Sequence, residues 1–473
     1  MFYNTWKNMK KGSCLDVYEY LKEKILNGDL KPGEKLPSLR QISIKKGLNT
    51  TTVLKGYEIL EREGYIFKVL GKGSFVSENR DFSINLDNRL ILERALITEE
   101  EKKNLIDFSK DEIDSIKLIG LDLRNIMLKV LVLNDDIFEE ENLKGSKELR
   151  EIIADYLENS DIFIASEEVV VLNSSQQCLN TVLKLFFKKK GDRTIVVSDP
   201  TKYKALNLFK ERASVKGIHL LEDGWDFEDF EDILKSNKID FIYESFNYQN
   251  PSGILWSNEK KEKLLKLAEE YDFYIIEEDN SSDLFYLEEK PKSLKSYDRA
   301  GRERVFYIKD LAKCIHKEMK ISYMIVPPIF REKLDFEVLN SEITPSNFIQ
   351  KTLEYLIKNG IYEESLVKIR GEIKEKYKYM IERLKKIEGI RLMHSPGGGK
   401  TIWIKLNKNI DEKEFYYLCK KNGVSFLPGA IFYWDKRVDS KIRLSFVGLE
   451  KDEIEQGLNI IENTIKEINN KVL

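Results

Sequence analysis

The stretch LKPGEKLPSLRQISIKKGLNTTTVLKGYEIL, residues 30–60, decides how the first part of the chain folds. Ser38 is a suitable N-cap for a short helix, and Gly47 can end that helix. Asn49 can cap a following helix, whose inward-facing residues recur at helical spacing: Val53, Tyr57 and Leu60. This pattern predicts a helix, a tight turn and a second helix.

Two further elements flank these helices. An apolar residue recurs every four positions over residues 17–25, which predicts a preceding helix. Two short apolar segments, 65–67 and 74–76, flank the glycine turn 71–73 and predict a β-hairpin. We therefore expect a winged helix-turn-helix domain over residues 1–78.

Charge is distributed unevenly along the chain. Residues 1–80 carry 12 Lys and 3 Arg against 9 acidic residues, whereas the remainder carries 63 basic and 72 acidic side chains. A basic first part on an acidic remainder favours contact of the first part with a polyanion.

Double-stranded DNA is the polyanion that a helix-turn-helix binds. The first turn of its second helix reaches base edges, and neighbouring polar groups hold phosphates. The candidate base contacts are Thr50, Thr51, Thr52 and Lys55, and the candidate phosphate contacts are Ser38, Arg40, Lys45, Lys46 and Lys72. The alternative is a small packing module with a solvated polar face, which the agreement of helix order, spacing and wing disfavours.

Composition excludes several classes of protein. A chain of 473 residues with 42% hydrophobic and 34% charged residues can form two or three cores and is not of the disordered class. No apolar run is long enough for a membrane span, and residues 1–11 lack a signal-peptide pattern, so we expect a cytoplasmic protein. Scattered Cys and His residues disfavour disulfide scaffolds, metal sites and histidine-based catalysis.

A predicted linker and a second domain follow the winged helix. Residues 79–105 are charged and are predicted to be the linker. From residue 106 to residue 473, helical stretches alternate with short apolar strands at 169–172, 194–197, 241–243, 274–276 and 305–308. The alternation predicts an α/β domain with a mostly parallel sheet, in which ligands bind at the carboxyl ends of strands.

Four of these strand ends carry polar groups. Asn173–Gln177 follows one strand and opens a helix, which suits either anion binding or simple capping. Residues 250–253, Asn-Pro-Ser-Gly, form a turn. The acids at 277–279 form either a site with perturbed ionisation or a solvated loop. Lys313 follows another strand, where a single lysine is commonly structural.

Both regions resemble known families. Residues 15–76 resemble the GntR-type winged helix, including the segments 30–40 and Glu63-Gly64-Tyr65, although Thr50 stands where many relatives have Arg. The order of the strand-end motifs, followed by Lys313 and Arg443, resembles the class I aminotransferase fold, which binds pyridoxal phosphate.

Joined in one chain, the two regions resemble the MocR family of transcriptional regulators. The resemblance implies a DNA operator, a homodimer, a pyridoxal phosphate cofactor and a small amino compound or vitamer as effector. It also implies a smaller C-terminal α/β subdomain at about residues 350–473.

The same resemblance assigns roles to individual residues. Lys313 matches the catalytic lysine that forms a Schiff base with the cofactor, and Asn250 matches the residue that binds the ring hydroxyl. Glu278 matches the acid that faces the ring nitrogen, with Asp279 one position later as an alternative. Arg443 matches the guanidinium that holds a substrate carboxylate. The phosphate ligands implied are Ser174, Ser175, Gln176 and Lys320.

Several positions depart from the family pattern. Asp310 stands where the family has Ser or Thr, Ala312 removes a hydroxyl, and Lys320 replaces an Arg. Lys202 occupies the position of an aromatic residue that stacks on the cofactor ring, and Asn280 or Ser281 that of a tyrosine. These departures weaken cofactor binding and argue against efficient transamination.

We interpret the chain as a DNA-binding transcriptional regulator whose aminotransferase-like domain senses pyridoxal phosphate or an amino compound. Two alternatives stay open. One is an active aminotransferase that carries a DNA-binding domain. The other is a regulator whose aminotransferase fold has lost the cofactor and serves as a dimerisation platform or binds another metabolite.

Overall fold

The computed structural model describes most of the chain, in two compact units formed by residues 1–99 and 100–473. The described residues are 14–26, 28–62, 65–69, 73–77, 105–139, 142–186, 193–299, 301, 303–312, 314–341, 344–407, 410–435 and 440–472. Most of the predicted linker, as well as Lys72 and Lys313, lies outside these residues.

The first unit contains three helices and a hairpin. Its elements are α1 (Cys14–Leu26), α2 (Leu39–Lys46), α3 (Thr50–Arg62), β1 (Ile66–Val69) and β2 (Gly73–Val76). The two strands pair antiparallel, with Ile66 opposite Val76. Apolar residues from all three helices and the hairpin form one buried core, among them Val17, Leu21, Ile42, Val53 and Leu60. The predicted winged helix-turn-helix is confirmed.

The second unit alternates helices and strands. Its first half contains β3 (Ile106–Asp107), α4 (Ser115–Ile119), α5 (Leu123–Leu133), α6 (Lys147–Glu158), β4 (Val169–Leu172), α7 (Ser175–Phe186), β5 (Thr194–Asp199), α8 (Tyr203–Arg212), β6 (Ser214–Leu221), β7 (Gly224–Trp225), α9 (Phe227–Ser236), β8 (Phe241–Glu244), α10 (Asn258–Glu270) and β9 (Tyr274–Glu278). Its second half contains β10 (Val305–Asp310), β11 (Ser322–Ile325), α11 (Arg331–Ser341), α12 (Asn347–Lys358), α13 (Ile361–Leu384), β12 (Ile390–Leu392), β13 (Thr401–Leu406), α14 (Glu412–Lys421), β14 (Val424–Ser425), β15 (Leu427–Pro428), β16 (Lys441–Ser445) and α15 (Lys451–Val472).

An eight-stranded sheet organises this unit, in the order β4-β11-β10-β9-β8-β5-β6-β7. The five strands from β10 to β6 run parallel, whereas β11 and β7 run antiparallel to their neighbours. The α/β fold with a mostly parallel sheet is therefore confirmed. Because β4 points the same way as the parallel strands, the segments that follow β4, β5, β8, β9 and β10 meet at one edge of the sheet.

A second, antiparallel sheet has the order β12-β13-β16-β15. It carries Arg443 on β16, opposite Trp403 of β13. The short strand β3 pairs with β14, which attaches residues 106 and 107 to this C-terminal region. Within the described residues, no helix has both the length and the apolar character that a bilayer span requires.

Candidate functional site

The start of α2 is fixed by a reciprocal cap. The Gln41 backbone N–H donates to Ser38 Oγ at 3.3 Å, and the Ser38 N–H donates to Gln41 Oε1 at 2.7 Å. Gly47 ends the helix with a φ of 65°, in the left-handed region that favours glycine. Ser38 and Arg40 are both exposed, so the cap presents them to solvent.

Asn49 caps the next helix. Its Oδ1 accepts the Thr52 N–H at 2.7 Å and the Thr51 hydroxyl at 2.8 Å. Thr50, Thr51 and Lys55 are exposed at the first turns of α3, while Thr52 is half-buried. The structure thus brings the predicted base-contacting residues to one exposed helix start.

Tyr20 of α1 organises two lysines at the end of α2, a role that sequence reasoning missed. Lys45 Nζ donates to the Tyr20 hydroxyl at 2.7 Å, and Lys46 Nζ lies 4.0 Å from the centre of the ring. Lysine ammonium groups are attracted to aromatic faces. The two cations therefore have a shared support on the surface of this domain.

In the second unit, Glu278 lies at the end of β9 and is fully buried. Its Oε1 accepts Lys202 Nζ at 2.5 Å and Asn280 Nδ2 at 2.8 Å, and its Oε2 accepts the Tyr243 hydroxyl. Burial alone would raise the pKa of Glu278, but the Lys202 ammonium and these hydrogen bonds hold it below its ordinary value. Glu278 is therefore an ionised, internally paired carboxylate.

Asp279, the residue directly after β9, belongs to a different cluster. Its Oδ2 accepts the Ser282 hydroxyl at 2.7 Å and the Tyr307 hydroxyl at 2.9 Å. The Nζ of buried Lys309 lies 3.5 Å from Asp279 Oδ2 and 2.9 Å from Asp283 Oδ2. The structure does not bring Asp279 to Lys202 and Glu278, and its contacts are those of a buried structural network.

The start of α7 is also engaged by protein groups. Ser174 Oγ accepts the Gln177 N–H at 3.2 Å, which is a helix cap. Ser175 Oγ accepts Asn280 Nδ2 at 3.2 Å, and Gln176 Nε2 donates to the Lys204 carbonyl at 3.0 Å. These three predicted phosphate ligands lie together, and each makes a hydrogen bond to another protein group, although Gln176 Oε1 is buried without a partner among the described residues.

Asn250 and Arg443 are brought together although they lie far apart in sequence. Arg443 Nη1 donates to Asn250 Oδ1 at 3.2 Å, and Nη2 donates to the Ser109 carbonyl at 2.5 Å. The Arg443 side chain is 2% exposed. A third partner, Asp111, places Oδ2 3.5 Å from Nη1 and was not foreseen. No local motif indicates the contact between Asp111 and Arg443, because these two residues are 332 positions apart in the sequence.

Lys320 is the fourth predicted phosphate ligand. Its side chain is 64% exposed, and its Nζ is 3.8 Å from Glu318 Oε2. Lys313 is outside the described residues, although its neighbours Ala312 and Cys314 are buried.

The described residues do not fit pyridoxal phosphate. The carboxylate that would face the ring nitrogen is occupied by Lys202, which itself stands at the position of the stacking aromatic residue. Asp310 is buried, and its backbone N–H donates to Asn280 Oδ1 at 2.8 Å, the same residue that contacts Ser175. A carboxylate at this strand end disfavours a phosphate dianion.

Comparisons with known proteins agree with this architecture. Residues 14–76 match the family described as bacterial regulatory proteins, gntR family, and residues 120–279 match aminotransferase class I and II. The HTH-type transcriptional regulator YdfD of Bacillus subtilis is 24% identical, over 98% of each chain. The HTH-type transcriptional regulator NorG of Staphylococcus aureus is 27% identical, over 92% of this chain and 100% of its own.

A solved structure supports the assignment of the second unit. Kynurenine aminotransferase from Pyrococcus horikoshii, in complex with PMP, superposes with a TM-score of 0.72 at 26% identity, covering 80% of this chain and 94% of its own. The chain is thus a transcriptional regulator of GntR type with an aminotransferase-like domain. This organisation, a GntR domain followed by an aminotransferase class I and II domain, confirms the predicted resemblance to MocR-type regulators. As regards the cofactor, the comparisons show that the second unit has the fold of aminotransferases of class I and II, which are pyridoxal-phosphate-dependent enzymes.

Proposed function

We propose that this chain binds double-stranded DNA through its winged helix and senses a small carboxylate compound, such as an amino acid, at Arg443. The observation that carries the sensing function is the buried guanidinium of Arg443, held in place by Asn250 and Ser109. A guanidinium binds a carboxylate through two parallel hydrogen bonds. An amino acid would therefore be held by the group that distinguishes it from a simple amine.

The DNA-binding function is supported by the exposed start of α3. Thr50, Thr51 and Lys55 lie on the turn that enters the major groove in other helix-turn-helix proteins. Arg40 and the supported Lys45 and Lys46 supply positive charge for phosphates. We propose a homodimer, because two winged helices would read two half-sites about 10 bp or a multiple of it apart.

Regulation requires that the ligand bind two states of the protein with different affinities. We propose that the carboxylate contact at Arg443 favours one arrangement of the aminotransferase-like domain, and that the linker transmits this change to the winged helices. Pyridoxal phosphate has no part in this mechanism, because Lys202 and Asp310 disfavour it at this site. These residues equally disfavour the alternative of an active aminotransferase.

The test begins with selection of a high-affinity duplex from a random library by the full-length protein. Affinity for that duplex is then measured with each proteinogenic L-amino acid, pyruvate and 2-oxoglutarate at millimolar concentration. We expect at least one of these carboxylates to change the dissociation constant for the duplex in the parent. Arg443→Lys should lose the response, because an ammonium cannot reproduce the two-pronged contact. Arg391→Lys, an exposed position on β12, is the matched control.

Two outcomes would count against the proposal. A protein that selects no duplex would not be a sequence-specific DNA binder. A response to carboxylates that survives unchanged in Arg443→Lys would place the sensing site elsewhere.

A further inference from the structure

A carboxylate of the chain itself lies against Arg443. Asp111 Oδ2 is 3.5 Å from Arg443 Nη1, and the Asp111 side chain is 36% exposed while that of Arg443 is 2% exposed. Asn250 Oδ1 and the Ser109 carbonyl also accept hydrogen bonds from Arg443, and both are uncharged and closer than Asp111. They keep the guanidinium in place independently of Asp111.

The surroundings of Asp111 are strongly cationic. Burial alone would raise the pKa of Asp111, but the charges of Arg443, Lys400, Lys202 and Lys204 hold it well below its usual range. Lys202 is already paired with Glu278, whereas Lys400 is half-buried and Lys204 is exposed. A carboxylate at this point thus contacts one guanidinium and is stabilised electrostatically by several ammonium groups.

The segment that carries Asp111 is anchored on both sides. Before it, the Ser445 N–H donates to the Phe108 carbonyl at 2.6 Å. After it, the Ser115 N–H donates to the Ile315 carbonyl at 3.2 Å, and Asp114 forms a bridge with His316. Asp111 therefore lies on a short span between two anchored points, one of which is the segment at residues 315–316.

We infer that Asp111 is a built-in competitor, whose carboxylate occupies the place on Arg443 that the carboxylate of a small ligand takes. This inference rests on the proposed function of Arg443. A ligand carboxylate must displace Asp111, and the span that Asp111 leaves connects to the 315–316 loop. Displacement of Asp111 thereby couples occupancy of the site to the position of a neighbouring segment.

Acetate is the probe, because it is a carboxylate with little else to recognise. Binding of sodium acetate to the full-length protein is measured by calorimetry and by the shift of the melting temperature, against sodium chloride at equal ionic strength. Removal of the competitor in Asp111→Ala should lower the dissociation constant for acetate by roughly ten-fold. Arg443→Lys added to Asp111→Ala should abolish that gain.

Two further variants make the comparison sharp. Glu112→Ala removes an exposed acid next to Asp111 and should bind acetate as the parent does. Asp111→Asn keeps the side-chain volume without the charge and should shift acetate affinity in the same direction as Asp111→Ala. It carries the test if the alanine variant does not fold, as judged by circular dichroism.

Folded Asp111→Ala and Asp111→Asn proteins that bind acetate no better than the parent would overturn the inference. Failure of the proposed function looks different. If the Asp111 variants gain acetate affinity but no carboxylate alters DNA affinity, the competitor stands and the sensing function fails. If a carboxylate alters DNA affinity with equal potency in the parent and in Asp111→Ala, the competitor alone is refuted.

Discussion

Lys202 Nζ lies 2.5 Å from Glu278 Oε1, so an ion pair joins the segment after β5 to the end of β9. Glu278 is fully buried and Lys202 is mostly buried. Separating such a pair leaves a buried charge without its partner, which is costly. Any ligand that needs Glu278 as an acceptor must therefore compete with an ammonium of the protein itself.

The first prediction concerns pyridoxal phosphate. We expect that the compound, added to the purified protein, develops no visible absorption band of a lysine-bound form. The reason is that Lys202 takes both the acid and the ring position, while Asp310 repels phosphate. The double variant Lys202→Tyr with Asp310→Ser removes both obstacles and should gain such a band.

Lys313→Ala in the double variant is the control for attachment at the predicted lysine. The band of the double variant should disappear in it. The parent protein is also tested at low cofactor concentration against the single variant Lys313→Ala. A strong visible band of the lysine-bound form in the parent that is absent from Lys313→Ala would contradict the conclusion that the site does not fit pyridoxal phosphate.

The second prediction concerns DNA. Arg40 is exposed beside the Ser38 cap, at the start of the first helix of the helix-turn-helix. We expect Arg40→Ala to weaken binding of selected and random duplexes alike. We also expect it to reduce the slope of log affinity against log salt concentration by about 1, because one phosphate contact releases about one counterion.

Fluorescence anisotropy over a series of salt concentrations measures both quantities. Arg124→Ala, an exposed arginine on α5 of the other unit, should leave them unchanged. An Arg40→Ala protein with parental affinity and parental slope would remove Arg40 from the interface.

Local signals were sufficient to predict much of this protein. Ser38, Gly47 and Asn49 predict the helix boundaries because caps depend on neighbouring residues only. The apolar runs predict the strands of the large sheet in the same way. The pairing of Lys202 with Glu278 could not be predicted, because it depends on the order of strands in the sheet. The contact of Asp111 with Arg443 could not be predicted either, because Arg443 lies on β16 of the second sheet, far from Asp111 in the sequence.

The third prediction concerns the packing of α1 on α3. A Cβ added at Gly56 would lie 2.8 Å from the Cys14 carbonyl oxygen and 2.9 Å from Val17 Cβ. The Cys14 oxygen belongs to the backbone and Val17 Cβ is bonded to it, so neither atom can move without a shift of the backbone. Helices α1 and α3 must therefore separate. We expect Gly56→Ala to destabilise the winged helix by about 1–3 kcal/mol. Gly371, in the middle of α13, has no such neighbour, and Gly371→Ala should stabilise its unit by about 0.5–1 kcal/mol.

Differential scanning calorimetry of the full chain measures the two effects. The Gly56→Ala change should lower the temperature of the unfolding transition of the first unit. It should also weaken DNA binding, since α3 carries the candidate base contacts. An unchanged transition would mean that α1 and α3 tolerate the methyl group.

The fourth prediction concerns pH. Glu244 is buried at the end of β8, accepts the Ser245 N–H at 2.7 Å and also accepts the Ser198 hydroxyl. Burial raises the pKa of Glu244 from 4.5 to about 8, although hydrogen bonds from the Ser245 N–H and the Trp225 side chain oppose the rise. Between these two values the folded protein keeps a proton that the unfolded chain has released. The contribution of Glu244 to stability is therefore present at low pH and decreases as pH rises towards about 8.

Glu244→Gln cannot titrate and should make the unfolding free energy of the second unit less dependent on pH between about 5 and about 8. Urea unfolding at several pH values in this range gives the slope. Glu228→Gln removes an exposed carboxylate from α9 and should retain the parental slope. If Glu244→Gln and the parent lose stability equally over this range, Glu244 is not the group that keeps the proton in the folded state.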